Sequence, residues 1–327
     1  MSRKVWIAWL FLALVWAPGT QAQQFSDWSA AVNLGPIVNS TVEETDPFIT
    51  KNGLSLYFSS PRPGGYGGYD IWVSQRASVD DPWGPPQNLG PTINTAASEG
   101  RPLLSVDGHR LYFTSDRPGE YGGNDIYVTR RHNKRDDFAW RTPENLGPGV
   151  NSFASDHNGS LFEDDETGAT TFYFESDRLG TFDIFASTLQ ADETFGPAVL
   201  VEELSSPAND RRPMVRRDGL EMFLVSNRPG SILNPVGASS LDLWVSTRTS
   251  TSDPWSPPEN VDPFGAKYIN TRMHEGGPGL SFDGTILYFH AARRLENAGV
   301  GCPSTPSAPT CLFDIWMSTR TKLQGEQ

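Results

Sequence analysis

Long apolar runs are almost missing from this chain. The one candidate, Val5 to Trp16, is too short and wrongly flanked to span a membrane. Arg3 and Lys4 precede it and Thr20-Gln21-Ala22 follows, so residues 1–22 read as a secretory signal cleaved after Ala22. No cysteine follows that run, which argues against a lipoprotein anchor, and the expected location is periplasmic or secreted. Cysteine is scarce throughout: Cys302 and Cys311 are the only two. Two thiols are too few for a zinc site, whereas an oxidising compartment favours a disulfide between them. Such a bridge would contribute roughly 2–3 kcal/mol. Positive charge is also short, with 26 Lys+Arg against 39 Asp+Glu, and removing Arg3 and Lys4 leaves 24 − 39 = −15. That balance disfavours nucleic acid and anionic lipid, and suits a neutral or cationic ligand or a basic peptide.

Familiar catalytic and phosphate-binding motifs are absent as well. "RPGGYGGYD" is glycine-rich but precedes a strand pattern rather than a helix, which removes a helix-terminus phosphate site. No nucleophile elbow surrounds any serine. Glu163-Asp164-Asp165-Glu166 lacks EF-hand spacing and its turn glycine, and reads as a solvated loop.

What the chain has is a repeat. "WSAAVNLGP" at Trp28, "WGPPQNLGP" at Trp83 and "WRTPENLGP" at Trp140 are followed by looser copies at Phe195 and Trp255, at intervals of 55, 57, 55 and 60 residues. A second marker keeps step: "DIWVS" at Asp70, "DIYVT" at Asp125, "DIFAS" at Asp183, "DLWVS" at Asp242 and "DIWMS" at Asp314. Each unit opens with an acidic residue and usually a proline three positions later. It then turns at Asn52-Gly53, Asp107-Gly108, Asp218-Gly219 or Asp283-Gly284, a strong hairpin signal. Four short antiparallel strands per unit describe a propeller blade, and five units predict an all-β, five-bladed β-propeller over residues 23–327. The fifth unit lacks its fourth strand. The spare copy at Trp28 to Leu34 is predicted to complete it and close the ring.

"DPFITKNGLSLYFSSPRPGGYGGYDIWVS" and "GRPLLSVDGHRLYFTSDRPGEYGGNDIYVT" resemble the WD-like β-propeller repeats of the TolB type, found in exported bacterial envelope proteins. The resemblance covers nearly the whole chain after residue 22. It implies a propeller that binds protein at one face, and it implies no catalytic residue.

Candidate site residues follow from the repeat. Glu44, Glu99, Asp156, Asp210 and Glu275 open the five inner strands and are expected to ring one channel mouth. Arg101 and Arg212 lie two positions on from Glu99 and Asp210 and so share their strand face, with Arg211 beside them. His157 and His274 flank ring carboxylates. Calcium is the ion such a ring would take, although no metal or cofactor is required. A structural alternative exists: Arg62, Arg117, Arg178, Arg228 and Arg293 end the second strands, where each could pair with the carboxylate of its own blade. Asp70, Asp125, Asp183, Asp242 and Asp314 recur in every unit and read as structural. Enlarged loops at Pro229 to Ser240 and Arg293 to Thr310 break the symmetry and are expected to wall the same mouth.

The expected function is non-catalytic recognition of a protein, peptide or other envelope ligand at that mouth. A five-bladed glycoside hydrolase using a subset of the carboxylates is the first alternative. A purely structural envelope component is the second.

Overall fold

The computed structural model describes residues 23–119, 121–292 and 312–323. The signal segment, Cys302, Cys311 and the loop from Arg293 to Thr310 lie outside the described residues. After β1 (Val32–Asn33), the first blade is β2 (Thr45–Ile49), β3 (Ser55–Ser60), β4 (Asp70–Gln75) and β5 (Gln87–Asn88). The second is β6 (Glu99–Leu104), β7 (Arg110–Ser115), β8 (Asp125–Arg130) and β9 (Glu144–Asn145). The third is β10 (Asp156–Glu163), β11 (Thr170–Ser176), β12 (Asp183–Thr188) and β13 (Val199–Leu200). The fourth is β14 (Asp210–Val215), β15 (Glu221–Ser226), β16 (Asp242–Thr247) and β17 (Glu259–Asn260). β18 (Glu275–Leu280), β19 (Ile286–Ala291) and β20 (Asp314–Thr319) form the fifth, which β1 completes as its outer strand. Each sheet is antiparallel and four-stranded, and neighbouring first strands contact one another around an axis. This is the predicted five-bladed propeller.

The clasp at the N-terminus works through the same residues as the other outer strands. Val32 pairs with Met317 and Asn33 with Trp316. Asn33 donates to Asp314 at 2.9 Å, as Asn88 does to Asp70 (2.7 Å) and Asn145 to Asp125 (3.0 Å). Asp70 also accepts from the amide of Tyr66, so the recurrent aspartates hold a loop and an outer strand together, as expected. Each recurrent tryptophan lies under an arginine that the sequence reading did not single out. Arg76, Arg131, Arg248 and Arg320 stack 4.3 Å from Trp83, Trp140, Trp255 and Trp28. The same guanidiniums donate Nε to the hairpin carbonyls of Gly53, Gly108, Gly219 and Gly284. A planar side chain with separate stacking and donor edges can do both, which explains why arginine recurs there.

The core lies between blades rather than inside any one of them. Tyr57, Ile71 and Val73 of the first blade pack with Leu111, Phe113 and Trp140 of the second. Ile49, Phe58 and Trp72 meet Tyr288 and Ile315 of the fifth across the closure. At about 1.5–3 kcal/mol per fully buried large apolar side chain, these contacts exist only once the ring is assembled.

Candidate functional site

The five repeat carboxylates occupy equivalent places but do not converge on the channel mouth. Glu44, Glu99, Asp156 and Asp210 are fully buried and Glu275 is 1% exposed. Arg62 meets Glu44 at 2.7 Å, Arg117 meets Glu99 at 3.1 Å, Arg178 meets Asp156 at 2.6 Å, and Arg228 pairs with Asp210. The same arginines donate to Val38, Ile93, Val150 and Leu204 carbonyls. Backbone amides of Ser40, Thr95, Ser152 and Thr271 cap Glu44, Glu99, Asp156 and Glu275. These acids have no surface to offer a ligand, and the structural alternative describes them. The partner expected for Glu275, Arg293, lies outside the described residues. In four blades the expected ring carboxylate is thus paired with an arginine of its own blade, and among the described residues no group of three or more His, Cys, Asp or Glu could hold a metal ion.

The axis is lined instead by the residues two positions further along. Every inner strand carries a register shift there, at Thr45/Phe48, Gly100/Leu103, His157/Ser160, Arg211/Met214 and Gly276/Gly279. Asp46, Arg101 and Arg212 sit at φ of 50°, 55° and 51°. A left-handed non-glycine residue costs on the order of 1–3 kcal/mol, so the surrounding fold imposes it. The bulge ends strict alternation. Arg101 consequently parts from Glu99, and Arg212 from Asp210, contrary to the shared face the sequence predicts. In the fifth blade the equivalent residue is Gly277 at φ 55°, where a Cβ would lie 2.6 Å from the His290 ring and 2.9 Å from Asp46. Glycine there lets the first and fifth blades close on His290.

The side chains so presented form one cluster. Glu175, fully buried, holds Arg101 at 2.6 Å and Arg211 at 2.8 Å, lies 3.2 Å from His157 Nδ1, and accepts the Arg212 amide at 2.6 Å. Arg212 Nε reaches Asp46 at 2.9 Å, and the Asp46 amide donates to His290 Nδ1 at 3.0 Å. Arg101, His157, Arg211 and Arg212 are thus brought together as sequence-predicted residues. His274 is not: it is exposed, and its Nδ1 accepts from the Leu241 amide.

Electrostatics fix the protonation states. Burial works to raise the Asp46 pKa, but Arg212, His290 and Arg101 outweigh it and hold the carboxyl at about 2. Burial acts the same way on Glu175, where Arg101 and Arg211 keep it well below the usual range. Burial, reinforced by Arg101, takes His157 down to about 4. Burial likewise takes His290 to about 3 against the opposing pull of Asp46. At neutral pH the cluster holds three guanidiniums, two carboxylates and two neutral imidazoles.

Aromatic residues edge this polar centre. The residue before each third-strand aspartate is Tyr69, Asn124, Phe182, Leu241 or Phe313. Phe182 packs 5.4 Å from His157 and lies 3.9 Å under Arg211, and Phe313 meets His290 edge-on at 4.9 Å. Tyr69 donates to Glu43, and burial followed by that carboxylate pushes its phenol up. Beside them a small pocket of about 30 Å³ is lined by Asp46, Arg101 and Arg212 together with Pro47, Pro102, Pro213 and Pro278 of the inner strands.

Sequence reasoning missed Asp46, Glu175 and His290. The last two were visible as breaks in the repeat: "YFSS", "YFTS", "YFES", "FLVS" and "YFHA" align, and Ser59, Thr114 and Val225 stand where Glu175 and His290 depart. Of the enlarged loops, the one from Pro229 to Ser240 folds back through the Ile232 amide onto Asp242 and exposes Leu233 and Val236.

No protein-family model matches the chain, and no curated protein matches it. Similar solved structures include an α-L-arabinofuranosidase from Lactobacillus brevis, with TM-score 0.56 at 17% identity over 86% of this chain and 91% of that one. The catalytic domain of a GH62 α-L-arabinofuranosidase from Coprinopsis cinerea matches with TM-score 0.54 at 14% identity, covering 90% and 97%. A thermostable family-43 glycoside hydrolase gives 0.53 at 14% identity, covering 90% and 94%. At such identities the likeness shows the fold alone. The propeller that the TolB-type resemblance implied is the observed fold.

Proposed function

We propose that the chain binds a polyhydroxylated, saccharide-class ligand of the cell envelope over the axial polar centre, without covalent chemistry. The observation that carries this reading is the set of Arg101, Arg211 and Arg212 with the ionised Asp46, beside the rings of Tyr69, Phe182 and Phe313. Guanidiniums donate to hydroxyls, a carboxylate accepts from them, and ring faces cover apolar C–H surface. Export to the periplasm or beyond would place the site among such ligands.

Hydrolysis is the second reading, favoured by the fold shared with arabinofuranosidases. It needs one carboxyl as acid and another as base. Asp46, whose side chain keeps 13% of its surface, is ionised and suits the base. Glu43, held by Tyr69 at the mouth, is the nearby carboxyl available for the acid. Glu175 is saturated by its partners and suits neither role.

Titration calorimetry with arabino- and xylo-oligosaccharides, alongside release of reducing ends, separates the two readings. Binding without turnover, weakened at least tenfold by Arg212→Ala, supports recognition. Turnover abolished by Asp46→Asn or Glu43→Gln would replace it with hydrolysis, and failure to bind any saccharide would sink both.

A further inference from the structure

The opposite mouth of the propeller has a different chemistry. Beyond the inner-strand prolines, where the hairpins turn, lies a cavity of about 870 Å³. Phe48, Leu103, Leu161, Met214 and Leu280 form its apolar floor. A small pocket of about 30 Å³, lined by the inner-strand prolines together with Asp46, Arg101, Arg212 and Met214, lies between it and the polar centre. Its size falls within the roughly 300–1,000 Å³ typical of small-molecule sites, and its lining is mostly apolar, as theirs is.

Charge around the cup runs against the charge of the chain. The molecule carries a formal net charge of −13, yet Lys51, Arg76, Arg131, Lys134, Arg135 and Arg217 line this opening against Asp107 and Asp137. Asp137 is consumed by Arg131 at 2.6 Å and by Ser55 and Tyr57. Asp107 is engaged by Ser105 and the His109 amide. Arg217 leans on Asp165, and Lys51 lies 4.3 Å over the Phe282 ring. Lys51, Lys134 and Arg135 are exposed, and among the described residues they make no ion pair. An apolar cup with uncommitted cations at its lip complements a molecule that is apolar at one end and anionic at the other.

We propose that this cup is a second binding site, for a single-chain amphipathic carboxylate of the fatty-acid class. The chain packs against Phe48, Leu103, Leu161 and Met214, and the carboxylate meets Lys51, Lys134 and Arg135 at the lip. Its lining shares no residue with the polar-centre cluster.

Calorimetry on residues 23–327 with three probes of equal chain length tests it: dodecanoate, dodecanol and dodecyltrimethylammonium. Dodecanoate should bind tightest and weaken as salt is raised. The surface double variant Lys134→Glu/Arg135→Glu should weaken dodecanoate about tenfold, as expected from reversing two exposed charges, and leave dodecanol unchanged. Leu161→Trp, with folding verified by thermal melting, should abolish binding of both. The proposal is overturned if wild type fails to bind dodecanoate, if the ammonium probe binds as tightly, or if the folded double variant binds dodecanoate as wild type does.

Discussion

His290 offers a direct test of the polar centre. Its Nδ1 accepts the amide of Asp46, a residue held at positive φ, so a proton on that nitrogen would replace an acceptor with a donor facing a donor. Arg212 and Arg101 oppose the proton, Asp46 favours it, and burial decides the balance, leaving a folded pKa of about 3. The unfolded imidazole titrates near 6.5. Between those values the unfolded state binds the extra proton, so stability falls as pH falls from about 6.5 toward 3. Linkage from pH 7 to pH 5 gives a loss of about 2 kcal/mol for His290, and a similar loss for His157, whose folded value is about 4. The Asp46 contribution disappears only between about 3.8 and 2, outside that window. His290→Asn keeps a side-chain acceptor near Nδ1 and removes the titration. Urea unfolding at pH 7 and pH 5 should show wild type losing about 4 kcal/mol from the two histidines and the variant about half of that. Equal losses in both proteins would refute the assignment of His290 as a neutral, amide-accepting imidazole.

Two further outcomes follow from the blade chemistry. Removing residues 23–34 takes away β1, Asn33 and Trp28, leaves the edge of β20 unpaired, and should lower stability by several kcal/mol, read as a fall in the thermal midpoint and faster proteolysis of the fifth blade. Glu99→Gln should cost about 3–5 kcal/mol by stranding Arg117, and Glu99→Gln/Arg117→Met should recover much of that loss in a denaturant melt.

The blades were legible in the sequence because each carries its own markers. Asn88 and Asp70 meet in the fold, as Asn145 and Asp125 and Asn260 and Asp242 do at similar spacing, and the unpaired copy at Trp28 could only serve the blade lacking a fourth strand. The axis was less legible. Reading Arg101 as a neighbour of Glu99 assumes two-residue alternation, and a bulge with φ of 55° at Arg101 cancels it. A positive φ on arginine or aspartate has no compositional signature, unlike the glycine at Asn52-Gly53, where φ is 71°. Asp46 was therefore hidden inside "EETDPF", while Glu175 and His290 were open to a comparison of equivalent positions.

That difference suggests how a symmetric scaffold acquires a specific site. The carboxylate opening the inner strand has its charge cancelled by an arginine of its own blade in the first four blades. A group neutralised in that repeated way can stiffen the ring but cannot distinguish one ligand from another. The bulged residue two positions later is free of that duty and varies: Asp46, Arg101, Arg212, Gly277. Its amide still reaches the preceding blade, to Ser59 at 3.0 Å, Glu175 at 2.6 Å and His290 at 3.0 Å. One backbone bond thus serves the assembly in three different ways, and only where the acceptor is Glu175 or His290 does it also bring a titratable group to the axis. Ser59 performs the same structural task without charge, so the presence of Glu175 and His290 is not accounted for by holding blades together. Both are buried, so what they add is the placement of Arg101, Arg211, Arg212 and Asp46, the groups a ligand at the mouth would meet.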